Sequence, residues 1–412
     1  MSYKRIVSLI VLSTLLSSVT LAQAIPFLLL PLSPSLNAMG ATGTSIPTDD
    51  PYGFLFNPAQ LGHTSQTTNL SFIFYPSKVN WLGFDQLKLT SIAVNLGYNF
   101  KNLVGIPVSI GFGFSNPELN FGEFARLDEV GNPIPHSTIE SKDYYSAYSL
   151  GVGINYFIQF NAGITYKDIT SILGDQLTGI TNGILKAEVS TIDYGFLLNI
   201  PVIKIIDDKL SLNIIDDIPI KPYFNFSTGY SQSNIGDEVF YIDQAQSDPL
   251  PRTARLGYGI SFGLDFLIDK SPFGFIKIEF SVDAEDILIE RDMFGFEYQK
   301  GIGDIDIGRN IFLIKGDDKI VTHSGYRIYL METLGITIGK FSGRGFNLST
   351  TNGIEIRATG LLKMLSKYSS NKVVEFIANH FDFRYYRTTY SPNNFKSEMD
   401  GIALFIRGLE FN

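Results

Sequence analysis

The chain contains no cysteine and only four histidines among its 412 residues. The missing thiols exclude disulfide bonds, thiolate catalysis and a lipid anchor on an N-terminal cysteine. The histidines show neither an HExxH motif nor the paired spacing of a metal site, and no nucleophile-elbow motif is present. We therefore predict no catalytic residues, no metal site and no cofactor.

Long apolar runs are also missing after the first 24 residues, since no later run reaches the roughly 18 apolar residues that suggest a membrane-spanning helix. At the N-terminus, Lys4 and Arg5 precede the apolar stretch Ile6–Leu21 and an A-x-A motif that ends at Ala24. This order is typical of a secretory signal peptide that is cleaved after Ala24. The net charge of −9 argues against nucleic acid as a partner. An exported chain without helical spans but rich in strands predicts the bacterial outer membrane.

Instead of long apolar runs, the chain shows apolar residues that alternate with small or polar ones, most clearly between Arg255 and Glu285. Soluble strands are usually about 5–6 residues long, whereas a strand that crosses a bilayer needs roughly 9–11. The length and the period of two predict an antiparallel hairpin of a transmembrane β-barrel with its apolar face toward lipid. A hairpin of a large soluble β-sandwich is the alternative. The apolar positions of the first strand are Leu256, Tyr258, Ile260, Phe262, Leu264, Phe266 and Ile268.

Similar alternating segments recur along the chain, and we count about thirteen, whereas bacterial barrels have even strand numbers. The long polar connections are expected outside the cell and the short ones, such as Ile158–Asn161, in the periplasm. Helical character at Leu361–Lys367 and Val373–Asn379 predicts a short helical excursion before the last strands. The long connections are Asn116–Asp143, Thr170–Lys186, Gln232–Asp248 and Asp286–Lys300.

The stretch Ile25–Leu61 does not alternate and is rich in proline, glycine, threonine and aspartate. A stretch this long without strand character is unusual in a compact protein and is often functional. We predict that it is a hatch inside the barrel. The expected organisation is a signal peptide over residues 1–24, a hatch over residues 25–65 and the barrel over residues 66–412. The residues that mark the hatch are Met39, Gly40, Asp49, Asp50, Phe56, Asn57, Pro58 and Ala59.

These hatch residues resemble the N-terminal segment of FadL-like outer-membrane barrels, and more closely that of the PorV/PorQ branch. A second stretch is similar to a segment that opens a barrel strand in that branch, through Leu250, Pro251, Arg252, Thr253, Leu256 and Gly257. The resemblance covers about a tenth of the chain and implies an all-β, transmembrane antiparallel β-barrel of about 14 strands with an N-terminal hatch segment. One difference from the family pattern is Ala41, because in that pattern a second glycine commonly follows the Met-Gly pair.

The resemblance implies two non-enzymatic functions. In the PorV-like one, the barrel receives or hands over exported cargo proteins in type IX-like secretion, through the loops Asn116–Asp143 and Gln232–Asp248. In the alternative, FadL-like one, it transports hydrophobic small molecules. A structural or adhesive surface barrel is a third class. The expected partners are outer-membrane lipid together with either a cargo protein and secretion components or a hydrophobic small molecule.

Overall fold

Fourteen antiparallel strands form one closed barrel, which confirms the predicted fold class. The computed structural model describes residues 23–127, 133–178, 181–215, 218–268, 271–291, 295–369 and 371–409. The barrel closes directly, because its first strand pairs along its length with its last strand, from Thr68 opposite Arg407 to Phe74 opposite Ile402. The strands are β1 (Thr68–Phe74), β2 (Ile92–Asn99), β3 (Val108–Ser115), β4 (Pro133–Asn155), β5 (Gln159–Thr178), β6 (Thr181–Pro201), β7 (Ile218–Gly236), β8 (Thr253–Ile268), β9 (Ser271–Ile287), β10 (Ile320–Leu330), β11 (Leu334–Gly343), β12 (Phe346–Arg357), β13 (Phe381–Ser391) and β14 (Ser397–Arg407).

Short helices and accessory strands occupy the lumen and the connections. Short strands outside the barrel sequence are Val79–Asn80, Lys88–Thr90, Glu118–Leu127, Leu212–Ile215, Ile289–Arg291 and Phe296–Tyr298. Within the described ranges, no helix has the length and hydropathy that a membrane span requires. The α-helices are α1 (Pro34–Ala38), α2 (Gly53–Phe56), α3 (Gln60–Thr64), α4 (Lys101–Val104), α5 (Val202–Ile206), α6 (Thr359–Tyr368) and α7 (Lys372–His380).

The alternation of the sequence separates an apolar exterior from a lumen of small and polar residues. In β8, Phe262 is 38% exposed on the outside, whereas its neighbours Ser261 and Gly263 are buried. Exposed apolar residues line the outside of neighbouring strands in the same way, as a lipid-facing band requires. The chain is therefore an outer-membrane barrel.

One end of the predicted lipid face is covered by protein. Leu256 and Tyr258 pack beneath Ile302, Ile305 and other residues of the connection between β9 and β10. The prediction that Leu256 meets lipid is therefore wrong, because this connection folds back over the outer wall. Phe262 and Phe266 remain on the outward side of β8.

Two predicted loops are largely strand. The segment Asn116–Asp143 contains the accessory strand Glu118–Leu127, which pairs with the first half of β4. The segment Thr170–Lys186 is the tip of a hairpin in which β5 and β6 pair out to Thr178 opposite Thr181. Both predictions failed because polar strand extensions above the membrane lack the apolar alternation that marks a strand in lipid. The predicted helical excursion is confirmed as α6 and α7.

The strand directions fix the two ends of the barrel. The turns after β4, β8 and β10 are short and lie at the same end as the start of β1 and the end of β14, whereas the long connections after β1, β7 and β9 lie at the other end. Short turns in such barrels are periplasmic. Helices α6 and α7 therefore lie at the periplasmic end, and the long connection between β9 and β10 lies outside the cell. The predicted signal peptide falls almost entirely outside the described residues.

Candidate functional site

The segment from Ala24 to Ser65 lies against the inner side of the barrel wall, where most of its residues are buried, and we call it the hatch. Its backbone lies against lumen-facing glycines on the surrounding strands, because only a missing side chain allows so close an approach. A Cβ at Gly151 of β4 would lie 2.7 Å from the Gly62 nitrogen, and one at Gly353 of β12 would lie 2.6 Å from the Ala38 Cβ. The strand glycines nearest to hatch atoms are Gly97, Gly111, Gly113, Gly151, Gly153, Gly163, Gly195, Gly229, Gly259, Gly325, Gly339, Gly353 and Gly401.

The Met39-Gly40 pair lies at one of the tight contacts between the hatch and the wall. Gly40 has φ of +76°, and a Cβ there would lie 2.6 Å from the Ser324 carbonyl oxygen. The nearest atoms to a Cβ at Gly339 all belong to Met39 and Gly40. The following Ala41 also has a positive φ of 61°, so it occupies a left-handed conformation that favours glycine. The backbone thus accounts for a glycine at position 40 and strains the alanine at position 41.

Polar side chains fix the middle of the hatch to the wall. Asp283 of β9 accepts hydrogen bonds from the Gly43 and Thr44 amides at 2.8 and 2.9 Å, and from the Ser45 hydroxyl at 2.6 Å. Such a carboxylate, buried but accepting three donors, is satisfied by the hatch alone. The hatch and β9 are therefore held in one register.

Asn57 of the predicted motif forms hydrogen bonds both within the hatch and to the barrel wall. Its side-chain amide donates to the carbonyls of Thr44 at 2.8 Å and Phe196 at 3.0 Å, and its oxygen accepts the Ala59 amide at 3.0 Å. The side chain lies against Gly195, and the Pro58 carbonyl lies against Gly163. This run turns the chain from α2 into α3.

The two adjacent aspartates have different partners. Asp49 accepts hydrogen bonds from Arg384 of β13 at 2.9 and 2.6 Å, and from Arg407 of β14 at 2.6 Å. Asp50 turns into the hatch, where it accepts the Ser33 hydroxyl and the Tyr52 amide, both at 2.8 Å. One aspartate therefore ties the hatch to the wall, while the other shapes the hatch itself.

An apolar cavity of about 260 Å³ lies on the outer side of the hatch. The leucines Leu29 and Leu30 of the hatch form its floor, and the connection after β1 supplies Trp81. Trp81 stacks on Tyr390 at a ring distance of 5.5 Å, and Tyr390 stacks on Phe341 at 5.2 Å. The result is a wall of stacked rings above an aliphatic floor, which we call the outer cavity.

The rim of the outer cavity carries charges that are already paired. Arg255 donates to Glu285 from its Nε at 2.6 Å, and Arg344 donates to the other carboxylate oxygen at 3.0 Å. Arg255 also donates to the Ala41 carbonyl at 3.1 Å, and the His323 ring lies 2.7 Å from the Gly40 carbonyl oxygen. These contacts join the rim to the hatch at the strained turn.

A second cavity of about 440 Å³ lies on the periplasmic side, bounded by the wall and by α6 and α7. We call it the inner cavity. Its lining is charged, and the Lys363 ammonium of α6 donates to Glu332 at 2.6 Å across one edge. The Tyr329 hydroxyl nearby donates to Glu355 at 2.8 Å. The charged residues that line it are Asp265, Lys277, Glu332, Arg357, Lys363, Asp382 and Arg407.

The second predicted motif leads the chain from an outer connection into β8. Leu250 is fully buried, and its amide donates to the Tyr298 hydroxyl at 2.9 Å. The Arg252 guanidinium lies over the Tyr298 ring at 3.7 Å, and the Pro251 carbonyl accepts from Asn234 at 3.0 Å. Thr253 begins β8, with Leu256 outward and Gly257 in the lumen.

The predicted site residues therefore anchor the hatch and β8, and none of them lines the outer cavity. The cavity residues that sequence reasoning missed include Leu29 and Leu30, Trp81, Phe341 and Tyr390. Two signals were available: the apolar run from Phe27 to Leu30 in an otherwise polar segment, and the only tryptophan of the chain.

No protein-family model matches the chain, and no curated protein matches it. Among solved structures it is similar to the CymD monoaromatic hydrocarbon channel, at 10% identity and a TM-score of 0.41, with 95% of this chain and 100% of that one covered. It is similar to the toluene transporter TbuX of Ralstonia pickettii at 10% identity and a TM-score of 0.36, with 92% of this chain and 98% of that one covered. It is also similar to a Pseudomonas aeruginosa FadL homologue at 7% identity and a TM-score of 0.33, with 90% of this chain and 96% of that one covered. Likenesses of this size do not identify a ligand.

Proposed function

We propose that the barrel binds neutral hydrophobic small molecules in the outer cavity, as the first step of their passage across the outer membrane. The observation that carries this proposal is the lining of stacked rings and leucines on the outer side of the hatch. Small-molecule sites are mostly apolar clefts with a few placed polar groups. The paired Arg255–Glu285–Arg344 rim supplies such groups at the edge.

The hatch makes the passage a gated one. It separates the outer cavity from the inner cavity, and its backbone lies against glycines around the wall. Axial transfer therefore requires the hatch to move, whereas binding in the outer cavity does not. The cavity volume of about 260 Å³ suits a compact molecule of one or two rings rather than a polymer.

The only tryptophan of the chain gives a direct assay, because Trp81 lines the outer cavity and is 4% exposed. Titration of the purified protein with 1-bromonaphthalene, whose bromine quenches indole fluorescence, is expected to give saturable quenching. Bromobenzenesulfonate, a charged analogue, is expected to quench much less. Leu30→Asp should weaken bromonaphthalene binding about tenfold or more, which corresponds to 1.4 kcal/mol or more.

A matched control is Lys363→Ala in the inner cavity, which should leave quenching unchanged. Equal quenching by the neutral and the charged compound, or an unaffected Leu30→Asp variant, would contradict the proposal. The cargo-binding alternative stays a prediction. Cross-linking from Gln232–Asp248 in intact cells tests it, and capture of one exported protein together with normal hydrocarbon uptake in a deletion strain would favour it.

A further inference from the structure

The helices α6 and α7 form a hairpin at the periplasmic end of the wall, between β12 and β13. Both are amphipathic, because their apolar residues recur three and four positions apart. On α6 the apolar face is 54% exposed at Leu361, 60% at Leu365 and 90% at Tyr368. On α7, Val373 and Phe376 are also exposed. So much exposed apolar surface on one hairpin marks a contact with an apolar environment.

The opposite face of α6 indicates where the apolar face points. Lys363 lies on that opposite face, lines the inner cavity and donates to Glu332. Gly360 packs against the turn after β10, with the Met331 carbonyl nearest to it. One face of the hairpin is therefore directed toward the barrel axis. Its apolar face is directed away from the axis, where the membrane surrounds the barrel.

The apolar face of α7 is also continuous with the lipid-facing wall. The Phe376 ring meets the Phe381 ring edge-on at 6.1 Å. Phe381 begins β13, in which Asp382 is buried on the lumen side and Phe383 is 50% exposed on the outside. Phe381 thus shares the outward side with Phe383, and Phe376 extends that surface below the end of the strand.

We propose that the α6–α7 hairpin lies in the headgroup region of the inner leaflet, with Leu361, Leu365 and Phe376 inserted among phospholipid acyl chains. Interfacial amphipathic helices bury their apolar faces roughly 5–10 Å into the boundary between headgroups and acyl chains. The hairpin then fixes the height of β12 and β13 relative to the bilayer. This inference depends on the membrane barrel and not on which molecule the outer cavity binds.

The absence of cysteine allows single-cysteine spin labels without a background. The full-length mature protein is reconstituted into phosphatidylethanolamine–phosphatidylglycerol vesicles with nitroxides on Leu365→Cys and Lys367→Cys. These positions are two apart on α6 and lie on opposite faces. Power saturation is expected to give a severalfold higher ratio of oxygen to nickel-chelate collisions at position 365 than at position 367. Phe262→Cys on β8 is the lipid reference.

Each outcome decides the proposal. Equal nickel-chelate access at positions 365 and 367 shows a hairpin in water and overturns it. Loss of access to both reagents at position 365, together with disulfide cross-linking between copies of the unlabelled Leu365→Cys protein, shows a second copy on this face and also overturns it. If Leu365→Cys fails to fold, Leu361→Cys reports on the same face. Lipid-like access at either position, with water-like access at position 367, supports the proposal.

Discussion

The outer and inner cavities share a barrel and a hatch but differ in the chemistry of their linings. Stacked rings and leucines line the outer cavity, and its rim charges are paired. The inner cavity is lined by both acidic and basic side chains, such as Asp265 and Lys277. The outer cavity therefore favours an apolar molecule and the inner cavity does not. Transfer of apolar surface from water is favourable only where that surface enters an apolar environment.

The difference indicates that the hatch is more than a spacer. Its outer surface supplies the leucine floor, and its periplasmic side carries Asp49 toward Arg384 and Arg407. One segment therefore faces two environments, and the glycine contacts hold it at the boundary between them. We expect removal of the hatch to reduce the difference between the cavities most, displacement of the hatch to reduce it less, and loosening of the hatch to reduce it least.

Deletion of residues 25–61 should have the largest effect, because it merges the two cavities into one water-filled lumen. We expect the intact protein to pass no steady ionic current in planar bilayers and the deletion variant to conduct like an open porin. Circular dichroism of the variant in vesicles checks that the barrel has formed. A folded variant that stays closed would show that the wall alone seals the lumen.

Gly339→Val should displace the hatch without removing it. The new side chain would overlap the backbone of Met39 and Gly40, and overpacking of this kind typically costs about 1–3 kcal/mol. Urea unfolding in vesicles measures the loss. In the barrel that lacks residues 25–61, the same substitution should cost much less, since its nearest neighbours are gone. An equal cost in both backgrounds would place the strain in the wall instead.

Asp49→Asn should loosen the hatch at its periplasmic side. The buried Arg384 keeps Asp382, so the expected cost is about 1–2 kcal/mol, below that of a fully orphaned buried charge. Brief current bursts should accompany the loss of stability. The control is Asp248→Asn, because Asp248 is exposed and its ion pair with Arg291 should contribute at most about 0.5 kcal/mol to stability. Equal effects of the two substitutions would contradict an anchoring role for Asp49.

The membrane wall was predictable because lipid forces a period of two on every strand that crosses it. The alternation around Phe262 marks the outward face, and that residue is indeed exposed. The polar hairpin at Thr170–Lys186 was not predictable, because strands above the membrane have no apolar face to reveal them. Leu256 shows a second limit, since a covering connection is not visible in the strand that it covers.

The candidate site was predictable only in part. Met39, Gly40 and Asn57 stood out because they resemble the hatch residues of FadL-like barrels, and in the structure they contact the barrel wall. The outer cavity depends on rings from distant connections, such as Trp81 and Tyr390, that meet only in the closed barrel. The run from Phe27 to Leu30 and the only tryptophan mark single members of the cavity, but no local pattern shows that these residues come together.

Ala41→Gly should have the smallest effect of the four changes, and it isolates the strained turn at the edge of the outer cavity. A left-handed alanine costs roughly 1–2 kcal/mol, so glycine relieves the strain at φ of 61°. The loss of a buried methyl group and the greater freedom of the unfolded chain offset about 1 kcal/mol of that gain. We expect unfolding by urea to show a net change between zero and about 1 kcal/mol of stabilisation.

Ala41→Val is the opposing control, because a β-branched residue at positive φ is a genuine outlier and should destabilise the protein. Because Ala41 lines the outer cavity, Ala41→Gly should keep bromonaphthalene binding within about twofold, whereas the larger side chain of Ala41→Val should weaken it. Clear destabilisation by Ala41→Gly would instead show that the methyl group is a required part of the cavity wall.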